Sequence, residues 1–436
     1  MPDTHNPPVP VILGSAMNAY GLIRSLGEAG IHSIIADRTL GPAMFSKYLL
    51  ARWRLATGKP SAGAIRDLCQ YASRRKPRPL LIPTDEAWVT AMVKNRRLLE
   101  RYFILPLGCS DIVSLVMTKT RMHQWCLRNQ VLVPHTVTFA PGQDWLAFLG
   151  SAEPFLPVIV KPETKGVGDI SFGFPYKEFQ TMESLLSWGR SQGDHGPGCG
   201  VLFQVVIQGP TDNLLSYQGY RSKGGTVYMA GYTKLRQNPP VHGCASAAYL
   251  RADEESARAT EDLLLKLNYV GFFDVEFKRD ARTRSLFFIE LNPRPGMLNY
   301  GATVLGVNIP CCALADAAGV DLQPGKVVIA GRGLWIELLP DLLSHVLYYR
   351  RIGHGTSLGE WCRTVQSWPI VEAFGNLEDP LVYCAHLVLY ARECFRHLPG
   401  LLRRVPGRSP PDITERVARR GQRPGQLSGG RHRSRQ

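Results

Sequence analysis

Apolar and polar positions follow one another along this chain in short, sharply bounded blocks. Val9-Pro-Val-Ile-Leu13 is an apolar run closed by Gly14-Ser15, a helical spacing through Leu22, Ile23 and Leu26 continues to Gly30, and Ile31 to Asp37 is apolar again. A strand, a helix and a strand in so few residues predict a βαβ unit of a parallel sheet. Another strand is predicted at Pro79-Leu-Leu-Ile-Pro83, where Thr84 or Asp85 is placed to cap a helix over Ala87 to Leu99. Helical spacing begins at Asp111 and passes through Met117, Met122 and Trp125. Then β-formers dominate: Pro157 to Pro162, Val201 to Gly209, and Leu215 to Arg221 with Thr226 to Arg236 around Lys223-Gly-Gly225. A helix over Glu254 to Leu267 leads into Val270 to Lys278 and Leu286 to Gly296, two strand patterns joined by a polar turn. From about Ala330 to Pro399 the pattern reads as mainly helical and amphipathic, including Leu334-Trp-Ile-Glu-Leu-Leu and Leu381 to Tyr390.

The hairpin at Val270 to Gly296 carries the densest chemistry. Side chains alternate faces along a strand, so Asp274, Glu276 and Lys278 share one face, as do Phe288, Glu290 and Asn292 on the partner strand. With Lys278 opposite Leu286, both sets lie on the same side and bring Glu276 and Glu290 together beside Asn292. Two carboxylates crowded on an apolar hairpin repel one another unless something positive sits between them. A hard divalent cation with oxygen ligands meets that need. An acid alternating with apolar residues is also the ordinary pattern of a half-exposed strand. The run Glu290-Leu-Asn-Pro-Arg-Pro-Gly296 says more, because it concentrates an acid, an amide and a guanidinium before two prolines end the strand.

Three further stretches hold candidate anion-binding groups. Lys161 stands at the exit of a β-branched run, where a lysine is costly to bury without an anion, and Glu163-Thr-Lys-Gly-Val-Gly168 follows with backbone N–H groups suited to phosphate. Lys234 and Arg236 end the Gly-Gly hairpin ahead of a polar, Pro-rich loop. Gly14 and Gly21 are not spaced as a dinucleotide-binding turn, which argues against a nicotinamide enzyme.

Composition narrows the class. With 436 residues, 44% hydrophobic and 20% charged, the chain is long enough for two or three domains and is ordinary for a globular protein. The net charge of +15 is uneven: ten Arg against Asp412 and Glu415 put +8 on the Pro-, Gly- and Ser-rich stretch after Leu402. That tail is expected to be disordered, and a polyanion-binding arm is the alternative. Ten scattered cysteines without a Cys-x-x-Cys pair read as reduced thiols. Neither a signal peptide nor an apolar run long enough to cross a bilayer is evident, so a cytoplasmic setting is expected.

The acid-x-Asn-Pro-Arg ending, with Glu276 on the preceding strand and the strand-Lys-Pro-loop at Lys161, resembles the ATP-grasp superfamily. Within it the Glu-x-Asn-Pro-Arg-Pro ending and Thr-Lys-Leu-Arg-Gln are most similar to the carboxylate–amine ligase group, which includes the carbamoyl-phosphate synthase large chain and D-aspartate ligase. The resemblance implies α/β plus α+β architecture: a Rossmann-like pre-ATP-grasp domain over 1–110, an ATP-grasp domain of two lobes over 111–320, and a helical extension over 321–402 ahead of the tail. It implies ATP and Mg²⁺ as cofactors, with Mn²⁺ as a substitute, the metal being held by Glu276, Glu290 and Asn292. Lys119, Lys161, Lys165, Gly166 and Gly168 would meet the phosphates, and Gln204, Val205, Val206 and Ile207 the adenine, without the acid that commonly holds the ribose. Arg294, Arg236 and Lys234 would stabilise the transferring phosphoryl group. The implied reaction joins a small carboxylate to an amine, amino acids among the candidates, through an acyl phosphate. Thr84, Asp85, Glu86, Asn299 and Tyr300 are candidates for the acceptor pocket. A homo-oligomer is compatible with this, and no nucleic-acid partner is expected. A carboxylase or phosphotransferase would use the same residues, and a non-catalytic anion- or nucleic-acid-binding protein would act through the tail.

Overall fold

The apolar runs at the front of the chain form strands buried on both faces. In a computed structural model, which describes residues 7–55, 60–151, 155–163, 176–238, 243–320, 324–346 and 357–402, they are β1 (Pro10–Leu13), β2 (Ser33–Asp37) and β4 (Leu80–Pro83), with the largely exposed β3 (Leu49–Arg54) added at one edge. All run parallel, in the order β3-β2-β1-β4. Ile12 and Ile35 face the helix Met17–Glu28 and pack with Leu22 and Leu26; Val11 and Ile34 face the other way and pack with Leu68 and Met92. Covering both faces is what makes such strands uniformly apolar. The predicted βαβ unit is present. The helix spacing of Gly14 and Gly21 has a packing reason, since a Cβ at Gly14, where φ is +109°, would strike Thr84 and one at Gly21 would strike Asn299.

Contacts divide the chain into two units, one of residues up to His135 together with Val206–Leu402, the other Thr136–Val205. The expected boundaries at 110 and 320 do not coincide with these junctions. In the smaller unit, β5 (Thr136–Phe139), β6 (Val158–Pro162), β7 (Lys177–Phe179) and β8 (Val201–Val205) form an antiparallel sheet ordered β5-β8-β6-β7. Its core is aromatic, with Trp145 against Phe139, Trp188 and Phe203 and its indole N–H donating to the Gly189 carbonyl at 2.9 Å.

Among the described residues, eight strands build the second sheet of the larger unit. These are β9 (Leu214–Arg221), β10 (Val227–Asn238), β11 (Cys244–Arg251), β12 (Gly271–Arg279), β13 (Leu286–Asn292), β14 (Lys326–Val328), β15 (Ala330–Ile336) and β16 (Ile370–Glu372). Their order is β13-β12-β9-β10-β11-β15-β16, with β14 beside β10. One face packs on helix Glu254–Lys266 through Phe273, Val275, Phe277, Phe288 and Leu291; the other joins Tyr220, Tyr232 and Trp335 to one core with the helices Met17–Glu28, Asn299–Val304 and Ile309–Ala318.

The stretch from Ala330 corrects the helical expectation. Leu334, Trp335 and Ile336 lie in β15, antiparallel to β11 with Trp335 opposite Ala248, and Ile370 to Glu372 add β16. A short run that is apolar on every side carries no period to separate a buried strand from a buried helix. Helices do form at Leu338–Ser344, Leu358–Gln366 and Pro380–Leu402. None of the described helices is long and apolar enough to cross a membrane. The Arg-rich tail lies outside the described residues.

Candidate functional site

The hairpin places Glu276 directly opposite Glu290 and Asp274 directly opposite Asn292. Its register differs from the expected one: Lys278 pairs with Phe287, not Leu286, and the ladder shifts between Glu276 and Phe277. The shift leaves Ile289 as an extra residue in β13. Phe288 is thereby removed from the face of Glu290, where simple alternation put it, and packs against Phe277 with ring centroids 5.9 Å apart. The physical reason is burial. Phe288 belongs in the core with Phe277, Glu290 belongs opposite Glu276, and only a bulge satisfies both.

On the acid face, cations are interleaved with carboxylates. Lys234 on β10 reaches Glu276 with its Nζ 2.8 Å from Oε1, both side chains largely buried. Arg294 donates through Nε to Glu86 Oε1 at 2.8 Å, its Nη2 lies 2.6 Å from the same oxygen, and its Nη1 stands 3.8 Å from Asp274 Oδ2. Asn292 Nδ2 donates to Glu290 Oε1 at 3.0 Å, and Ser216 Oγ donates to Asp274 Oδ1 at 3.0 Å. Burial, with Glu276 beside it, raises the Asp274 pKa against the opposing pull of Arg294 and Lys234. Burial works against the charge of Lys234, but Glu276 and then Asp274 more than offset it and raise its pKa. The same holds for Arg294, through Glu86, Asp274 and Glu290. Both cations therefore stay charged in place.

Sequence reasoning had Asp274 on this face but gave it no role. The signal was its position two residues before Glu276. Glu86 is the contact that pure sequence could not reach, because its partner is 208 residues away. Asp85 caps its helix, accepting from the Trp88 N–H at 2.8 Å, and Thr84 donates to the Leu13 carbonyl at 2.6 Å. Asn299 donates to Asn18 and Gly296 carbonyls, and the Tyr300 hydroxyl donates to Glu28.

Arg236 is engaged elsewhere. Its guanidinium makes a two-pronged pair with Asp341, Nε at 2.9 Å and Nη2 at 2.7 Å from Oδ2. Asp341 is fully buried and also accepts from Ser246 Oγ at 2.7 Å and Trp361 Nε1 at 2.8 Å. Lys119 opens the helix Lys119–Arg128 and is half-buried. In the smaller unit, Lys161 Nζ donates to Gln204 Oε1 at 2.7 Å, and Gln204 Nε2 to Thr136 Oγ1 at 3.1 Å. Gln204 and Val205 end β8, and Val206 and Ile207 begin the return to the larger unit. Lys165, Gly166 and Gly168 lie outside the described residues.

The donors on the acid face fit a hard divalent cation in kind, carboxylate and amide oxygens carried on rigid strands. Glu276 is held by Lys234 and Glu290 by the Asn292 amide, and among the described residues no three His, Cys, Asp or Glu side chains already converge as a metal cluster.

No family model matches the chain. It is 24% identical to the D-aspartate ligase of Enterococcus faecium over 317 residues, 69% of this chain and 74% of that protein. Its fold matches N5-carboxyaminoimidazole synthetase from Staphylococcus aureus complexed with ADP, with a TM-score of 0.59 and 14% identity over 79% of this chain and 86% of that one. It also matches the biotin carboxylase domain of Hydrogenobacter thermophilus 2-oxoglutarate carboxylase in complex with MgADP and bicarbonate, with a TM-score of 0.58 and 16% identity over 76% and 74%. By sequence and by fold, the chain is similar to proteins of the ATP-grasp superfamily.

Proposed function

We propose that this chain is an ATP-dependent ligase that joins a small carboxylate to an amine through an acyl phosphate. The observation that carries the reading is the acid face of the β12/β13 hairpin, where Glu276 opposes Glu290 and Asp274 opposes Asn292, with Lys234 and Arg294 threaded among them. Glu276, Glu290 and Asn292 would hold Mg²⁺, which would supply positive charge to offset that of the phosphates. Lys234 and Arg294 supply fixed positive charge where negative charge grows during phosphoryl transfer. Glu86 orients Arg294, and Asp274 tethers it toward the acid face. Such chemistry proceeds by positioning and charge neutralisation, so the groups need to be rigid rather than nucleophilic. Lys119, and Lys161 in the smaller unit, are assigned to the nucleotide phosphates, and the backbone from Gln204 to Ile207 to adenine.

The test is ADP release from ATP and Mg²⁺ with amino acids offered in pairs, with mass detection of the condensed product. Release that requires both partners and yields their amide is expected. Absence of release with every pair would overturn the reading. The fold likeness to N5-carboxyaminoimidazole synthetase and to a biotin carboxylase domain favours a carboxylase as the second reading, which bicarbonate-dependent ADP release would establish.

A further inference from the structure

Among the described residues nothing covers one side of the helix Pro380–Leu402. Its inner side is anchored: Val382 is fully buried in the core shared with the helix Met17–Glu28, and the His386 ring stacks on Phe374 at 4.2 Å. That side also sets His386 3.8 Å from Glu337, a carboxyl whose pKa is raised to about 8 by burial, then by Glu372 and Asp341. On the outer side Leu381, Cys384, Val388 and Ala391 face solvent, Leu381 at 63% and Val388 at 68% exposure. At 3.6 residues per turn these four fall in one sector of about 80°, away from Val382 and His386. Leu377, four residues before Leu381, is completely exposed.

A helix side that faces water is ordinarily polar or charged. Here the twelve residues from Pro380 to Ala391 contain no Asp, Glu, Lys or Arg. Of the two acids just before the helix, Glu378 pairs with Lys47 at 3.3 Å and Asp379 is buried against Ser46. The first charge after the apolar strip is Arg392, which is exposed. Directly beyond Leu402, where the helix ends, 34 residues carry ten Arg against Asp412 and Glu415, a net of +8. The strip and the cations are therefore consecutive.

We propose that the outer side of this helix lies on the surface of an anionic lipid bilayer, with the apolar strip entering the headgroup boundary and the arginines beyond Leu402 meeting lipid phosphates and carboxylates. An apolar helix side continuous with a run of cations suits such a surface, because the strip contributes burial and the run contributes attraction to anionic headgroups. The helix lies in the interface, since none of the described helices is long and apolar enough to cross a membrane. A nucleic acid would engage the arginines and leave the strip in water. A second copy of this chain would cover the strip and bring another +8 to the same place, where like charges repel. The bilayer answers both features at once.

The test is co-sedimentation of the full chain with vesicles of phosphatidylcholine alone or mixed with phosphatidylserine. Saturable binding to the mixed vesicles is expected, at least tenfold weaker to phosphatidylcholine alone and weakened by added salt. Leu381→Gln combined with Val388→Gln should weaken it at least tenfold, as should glutamine at all ten arginines after Leu402. Glutamine adds no charge, so the first variant reads the apolar strip and not repulsion, and both of its positions are exposed, so far-UV circular dichroism should not change. No binding of the unmodified chain to mixed vesicles overturns the proposal, and this arm requires no variant to fold. Binding undiminished in the Leu381 and Val388 variant overturns it too, because the arginines alone would then account for it. Sedimentation velocity without lipid addresses the second copy: self-association that this variant abolishes would give the strip to another copy and overturn the proposal, whereas the same sedimentation for both chains supports it.

Discussion

Replacing Asp341 with alanine tests how the Arg236 guanidinium is held. In the folded chain Arg236 and Asp341 are nearly or wholly buried, and the carboxylate accepts from Arg236, Ser246 and Trp361 at once. Removing it strands a buried positive charge, a loss of about 3 to 5 kcal/mol, with Ser246 and Trp361 each adding up to about 1 kcal/mol as their donors go unmatched. With a urea slope of about 3 kcal/mol/M, the unfolding midpoint should fall by about 1 M or more. Intrinsic fluorescence across a urea series reads this directly. A companion, Arg236→Met with Asp341→Leu, removes both charges and should recover most of the loss, because an apolar pair of similar volume is often neutral relative to a buried ion pair. A loss under about 1 kcal/mol for Asp341→Ala would refute the electrostatic reasoning, as would a double variant no more stable than the single one. The folded double variant also tests Arg236 in phosphoryl transfer, since removing a charge that acts there lowers turnover on the order of a hundredfold.

Glu290→Ala should abolish acceptor-dependent phosphate release while far-UV circular dichroism stays unchanged; release at the original rate sinks its metal role. Lys161→Ala should raise the KM for ATP by about tenfold or more with a smaller change in kcat, read from ATP saturation curves. Phe288→Ala should lose about 3 to 4 kcal/mol in urea, since Phe288 is 3% exposed against Phe277. Glu337 holds its proton in the folded chain up to about pH 8, against an ordinary value of 4.5, so the folded state binds more protons between those values. Stability should therefore fall as pH rises through that window, by at most about 1.4 kcal/mol per pH unit, and Glu337→Gln should flatten the slope measured by urea midpoints from pH 5 to 9.

What could be read from the sequence was local. The βαβ unit, the Gly-Gly hairpin and the acidic hairpin all declare themselves through alternation and turn residues within a few positions. The bulge at Ile289 does not, because Phe288, Glu290 and Asn292 satisfy simple alternation and only the competing demand of Phe277 for a core partner displaces one of them. The pairing of Arg236 with Asp341 spans 105 residues, and that of Arg294 with Glu86 spans 208, so neither leaves a trace in spacing. The end of β15, Leu334 to Ile336, was hidden by being apolar on both faces, and β16 by being three residues long. A helix and a strand look alike there, and the neighbours that decide between them are β11 and one another.

The smaller unit enters and leaves through adjacent strands. Thr136 on β5 pairs with Gln204 on β8, so the two ends of Thr136–Val205 lie one interstrand spacing apart, about 5 Å. For the larger unit this segment is a detour whose closure requires almost no span, and its length can vary with little entropic penalty to the rest. The lysine and amide at its edge can accordingly be retuned by exchanging the whole insert, while the acid-bearing hairpin and its guanidinium clamp, built from residues on both sides of the detour, stay as they are.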